Sequence, residues 1–239
     1  MSKIDKNQIQ HFLNSIPGDF DVLEKGVPRS VQKEYIDLSK GIIQRDNPKT
    51  ILKRSQNLFN QQTSIQVKKR ILIELAHLGT VESYRTIEGF LRQADKELEA
   101  SAVLALRECR MLLECDLLEE EKGFISTGLG GKDNRIRYCF VIRSNAGIPF
   151  RKRQQDIIPD QFKRICAELD AVLENISFQK NYLSASVLVS MDVAVGDIIE
   201  RGIENCNKEE PCLKFHYYVT NVSPPTEEDI QIYLKEIKD

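Results

Sequence analysis

No apolar run in the 239 residues approaches the roughly 18 that a membrane-spanning helix needs. The most apolar stretch, Ser184 to Val195, is short and carries Asp192. The opening residues, MSKIDKNQIQHF, hold no apolar signal core, so the cytoplasm is the expected compartment. Catalytic signatures are scarce too. There are three histidines, and no G-x-S-x-G, H-E-x-x-H or Cys–His arrangement, which leaves the familiar hydrolase and metalloprotease classes without a candidate. The six cysteines form no C-x-x-C pair, and the 109/115 and 206/212 spacings of six are wide for a zinc knuckle. With no secretion signal, reduced thiols are expected, and neither a metal nor a cofactor. Cys206 and Cys212, flanking the polar NKEEP, are the pair to test for a disulfide or a metal.

What is present is the composition of a globular protein: 41% apolar and 29% charged residues, enough to build a core. The formal net charge of −2 gives no global attraction to nucleic acid. The charge is unevenly spread, however. Nine basic residues between Lys132 and Arg164 face three acids, while the chain after Ile165 is acidic.

The first half reads as helices. Ile9, Phe12, Leu13 and Ile16 predict a short one stopped by Pro17-Gly18, and Val31, Tyr35, Leu38 and Ile42 mark a second. Asn47-Pro48 is a helix start, with Asn as cap and Pro where its missing N–H costs nothing. Ser64, Thr80 and Asp95 predict three further starts, and Gly79 a stop. Val67, Ile71, Leu72 and Leu75 align with Leu98, Ala102, Val103 and Leu106 at a constant offset of 31. The run SIQVKKRILIELAHLGTVESYRTIEGFLRQADKELEASAVLALREC resembles HEAT- or armadillo-type repeats over roughly residues 31–118. The offset is shorter than the approximately 40-residue HEAT period, and the usual first-helix Pro is missing at Thr80. The resemblance implies stacked helices that bind partners, mostly proteins, and no chemistry.

Beyond Glu121 the pattern changes. Phe124–Thr127 and alternating Arg135–Arg143 predict a hairpin across GLGGKDN, followed by a short strand at Ile148–Phe150. A helix is predicted from about Pro159 to Ile176, a strand over Ala185–Val193, a helix over 195–205, a strand over Leu213–Val222 and a closing helix from Thr226. The fold class is therefore an all-helical repeat domain, residues 1–121, followed by an α+β sandwich, residues 122–239, with helices on one face of a mixed or antiparallel sheet.

Three constellations carry candidate function. Gly128, Gly130, Gly131 and Lys132 follow a strand as a phosphate loop does, but Asp133 replaces the needed hydroxyl and a strand follows in place of a helix. A flexible hairpin loop is the simpler reading. Lys132, Arg135, Arg137, Arg143, Arg151, Lys152 and Arg153 form the candidate partner- or anion-binding set, since residues two apart in a strand share a face. That face is either balanced by acids from elsewhere, or bound to nucleic acid, or docked on an acidic protein patch. Asp192 with His216, and Lys214, Asp197 or Glu200 nearby, is the minimum for general-base catalysis, against a plain helix-capping role for the acid. The leading expectation is a non-enzymatic cytosolic adaptor that binds a protein. A nucleic-acid or ribonucleoprotein binder is the alternative, and an enzyme at Asp192/His216 the third reading. Oligomeric state stays open.

Overall fold

The computed structural model describes residues 19–42, 47–145 and 147–236. The helix expected at Ile9–Ile16 lies outside them. The chain divides after Gly128 into two compact units.

The helical unit begins with strand β1 (Asp19–Val22), continues through α1 (Arg29–Lys40), α2 (Pro48–Arg54), a 3-10 turn (Ser55–Leu58), α3 (Ile65–Leu78), α4 (Val81–Leu91) and α5 (Lys96–Leu118), and ends with β2 (Lys122–Ile125). Three of the predicted capping residues act as their chemistry demands, while Asp95 stands at the start of α5 without a side-chain cap bond. Asn47 accepts from the Lys49 amide at 3.0 Å, Ser64 from Val67, and Thr80 from Ser83. Gly79 ends α3 at φ +57°, a left-handed conformation that costs a glycine little, and a β-carbon there would stand 3.0 Å from that of Leu112. Ile71, Leu72 and Leu75 share one buried cluster with Leu98, Ala102 and Val103, so α3 and α5 pack face to face. Val67, the first member of the aligned set, is instead 46% exposed.

The strand at Lys122–Ile125 does not form a hairpin with the arginine strand, as its sequence neighbours suggested. It pairs in parallel with β1, from Asp19 opposite Lys122 to Val22 opposite Ile125. It therefore belongs to the helical unit, where Gly123 leaves room for the Phe20 ring.

The second unit contains β3 (Gly131–Lys132), β4 (Arg135–Ser144), α6 (Lys152–Glu168), β5 (Ala171–Phe178), β6 (Tyr182–Val189), α7 (Val195–Glu209), β7 (Leu213–Thr220) and α8 (Glu227–Glu236). The true hairpin is β3–β4, turned by Asp133 and Asn134, both at positive φ as a two-residue turn of the primed type requires. The strand order β7-β4-β6-β5 is antiparallel throughout. With the sequence β4-α6-β5-β6-α7-β7 this is the double split-βαβ, or ferredoxin-like, arrangement. The parallel component allowed by the sequence is thus absent from this sheet.

Phe140, Ile142 and Val187 on one sheet face meet Phe162 and Ile165 of α6 and Ile198, Ile199 and Ile203 of α7. Phe140 and Phe162 stack at 5.5 Å. Helices were expected on that face alone, but α8 lies on the other, where Ile230 and Tyr233 bury Val141. Two further corrections concern segment type. The helix expected over Pro159–Ile176 starts at Lys152 with Pro159 inside it, and gives way after Glu168 to strand β5. Residues Ile148–Phe150 form a loop, not a strand.

Candidate functional site

Tyr35 and Ser39 stand four residues apart on α1 and so share a face; Leu104 and Glu108 do the same on α5. With Phe124 of β2 they line an open cavity of about 320 Å³ in the helical unit. Ile36, 52% exposed, lies on its lip, and Ser126, just past β2, contributes to its wall.

Glu108 is the centre of the polar wall. One carboxylate oxygen accepts from the Tyr35 hydroxyl at 2.5 Å, and the other lies 3.5 Å from His77 Nε2. His77, in the last turn of α3, is also 2.9 Å from Ser39 Oγ. Burial and the adjacent Glu108 carboxylate push the Tyr35 hydroxyl well above its ordinary range, so it stays a donor. The neighbouring Cys109 thiol is pushed up to about 11 by burial and then by Glu108. Among the described residues no lysine or arginine neutralises Glu108, and the buried Ser126 Oγ finds no hydrogen-bond partner.

A serine hydroxyl on a histidine nitrogen suggests a nucleophile and its base. The arrangement does not serve that use. Glu108 approaches the same nitrogen, Nε2, where a triad carboxylate would hold the opposite one. Ser39 also sits within the last turn of α1, where its amide is committed to the helix and offers no oxyanion donor.

The predicted basic set lies wholly in the second unit, but not on one surface. Lys132, Arg135 and Arg137 mark the start of β4; Arg143 lies six residues on from Arg137, about 20 Å away, with its guanidinium beside Gly147. Arg151, Lys152 and Arg153 open α6 at that far end. Most of these charges already have acids. Arg135 bonds the Asp170 carboxylate at 2.6 Å, Arg137 grips Glu174 with two bonds of 2.6 and 2.8 Å, Arg151 pairs with Glu210, and Lys152 meets Asp156 at 3.2 Å. Lys132 and Arg153 are exposed. The face balanced by acids from elsewhere in the fold is the reading these contacts favour.

Asp192 and His216 do not meet. Asp192 is exposed in the turn after β6, not inside a strand. The end of β6 pairs with the start of β4 (Val189 with Ile136), whereas Tyr217 pairs with Ile142 near its end. The two side chains therefore belong to opposite ends of the sheet, about 20 Å apart by strand rise, far beyond hydrogen-bond reach. Cys206 and Cys212 are both buried free thiols, raised to about 12 and about 11 chiefly by burial. Among the described residues no cluster of three His, Cys, Asp or Glu is placed to hold a metal, and no helix is long and apolar enough to cross a membrane.

Sequence reasoning passed over Glu108, saw Ser126 only as a departure from the first Gly of a phosphate loop, and saw Tyr35 only as a helix face and His77 only as a helix-end charge. These residues come from three helices and a strand exit, so no local spacing links them.

No family model and no curated relative matches the chain. Among solved structures, a proposed transposase from Deinococcus radiodurans is similar at TM-score 0.37 and 14% identity, over 43% of this chain and 90% of that one. The C-terminal domain of the MgtC protein from Mycobacterium tuberculosis is similar at TM-score 0.28 and 14% identity, over 40% of this chain and 98% of that one. Neither likeness is strong enough to carry function.

Proposed function

We propose that the chain is a non-enzymatic adaptor acting in the cytoplasm, with a repeat-like helical unit that holds a partner protein and an α+β unit that adds polar contacts at two separate points, Lys132 and Arg153. The observation that supports this most is the mismatch between the two kinds of surface. The basic strand is neutralised within its own sheet by Asp170 and Glu174. Large apolar side chains, by contrast, stay in water: Phe59 and Val67, each 46% exposed, stand before and in the first turn of α3, and Ile148 and Phe215 of the second unit are exposed as well. Apolar anchors ringed by polar groups are what protein interfaces bury. Nucleic acid is the less supported partner, because bidentate Arg–carboxylate pairs would have to be broken before those guanidinium groups could reach phosphate.

The test is affinity capture from native lysate with nuclease-treated and untreated halves, using the natural chain and Val67→Asp. Companions that survive nuclease and are lost with Val67→Asp fit the adaptor. Companions that vanish with nuclease and persist with Val67→Asp refute it.

A further inference from the structure

We propose that the cavity between α1, α5 and β2 is a binding site for a small primary amine, with the ammonium group on Glu108 and the carbon body on Leu104, Ile36 and Phe124. This goes beyond the adaptor reading and does not rest on it.

Three observations converge. The first is charge. Glu108 is a carboxylate with a side chain only 19% exposed, held by a tyrosine hydroxyl and by a histidine that is cationic only when protonated. A half-enclosed carboxylate without a permanent counter-charge is an unfavourable arrangement that a cation relieves. The second is the number of donors. An ammonium has three N–H groups to offer the carboxylate oxygens, whereas a hydroxyl has a single proton to give. The third is shape. Ile36, Leu104 and Phe124 give the wall an apolar part beside the polar Gln32 and Ser39, and about 320 Å³ corresponds to roughly ten waters, enough for one ring with a short chain. Tyr35 holds one oxygen of the carboxylate, so the acceptor is oriented before a ligand arrives.

Lys40 also lines the cavity and is exposed. Its flexible ammonium, being exposed, is well hydrated and leaves the enclosed carboxylate as the dominant charge.

The experiment is isothermal titration of the full chain with 2-phenylethylamine, and in parallel with 2-phenylethanol and 3-phenylpropanoate, at pH 7.5. The amine is expected to bind at one site, at least about tenfold more tightly than the alcohol, with the carboxylate weakest; a hydrogen bond to a charged group supports a factor of that size. Glu108→Gln should remove the preference for the amine. Because Glu108→Gln also disturbs Tyr35, Leu104→Trp provides a second variant that fills the cavity and keeps the carboxylate; it should abolish binding of amine and alcohol alike. Circular dichroism confirms that each variant is folded. Equal binding of amine and alcohol, unchanged amine binding in Glu108→Gln or Leu104→Trp, or no heat from the amine up to millimolar concentration overturns the proposal. None of these outcomes alters which proteins the lysate capture retains.

Discussion

Gly202 shows how much one missing side chain can decide. It lies on the buried side of α7, and a β-carbon there would stand 2.5 Å from the Phe162 ring, which is fully buried and stacked on Phe140. Gly202→Ala therefore forces Phe162 out of its place and should cost about 1–3 kcal/mol despite the better helix propensity of alanine; urea denaturation reads the change. The cysteines make a second prediction. Burial raises Cys109, Cys166 and Cys212 to about 11 and Cys206 to about 12, against an ordinary value of 9.0. Above pH 9 the unfolded chain releases protons that the folded chain retains, so stability is full below that value and falls as pH climbs toward 11 and 12. The melting temperature should drop over that interval. At neutral pH the four thiols should resist iodoacetamide until the protein is unfolded, because only the thiolate attacks.

At the level of elements, starts and stops were legible wherever a short-range hydrogen bond writes them. Asn47, Ser64, Thr80 and Gly79 do in the structure what their side chains, or the lack of one, imply. The errors have equally local causes. Pro159 resembles a helix start, yet here it is carried inside α6 because Ile158, Phe162 and Ile165 must remain on one continuous buried face. In β5 a bulge between Leu173 and Asn175 puts Leu173 and Ile176 on the same side, a spacing of three that imitates a helix. Only the pairing with β6 separates the two readings. The cavity residues were illegible for another reason, since their meeting is a product of helix packing. The closing helix was read correctly from its cap: the Thr226 hydroxyl accepts from the Asp229 amide at 3.2 Å, and Asp229 accepts from the Thr226 amide at 2.9 Å. Thr226→Ala should cost about 1 kcal/mol. The effect should appear as faster hydrogen exchange in residues 227–236, since the loss is confined to one helix.

For the whole molecule, the two units carry separate cores, and the second contains a complete split-βαβ pair. Residues 129–239 expressed alone should therefore fold, with a cooperative melt and a far-ultraviolet spectrum of mixed helix and strand. The arginine pairs predict weak affinity for polyanions: at 150 mM salt the full chain should not be retained on heparin. Arg137→Ala should not alter its elution, because the guanidinium it removes is already spent on Glu174.

The parallel pairing of β1 with β2 has a consequence for synthesis. Asp19 and Lys122 are neighbours in space but 103 positions apart in the chain, and closing so long a segment is slow compared with forming the helices it encloses. As the nascent chain leaves the ribosome, its helices emerge one after another with nothing yet to fasten the first strand. That strand waits for a partner translated more than a hundred codons later, and until then its edge is open to any chaperone that recognises an unpaired one.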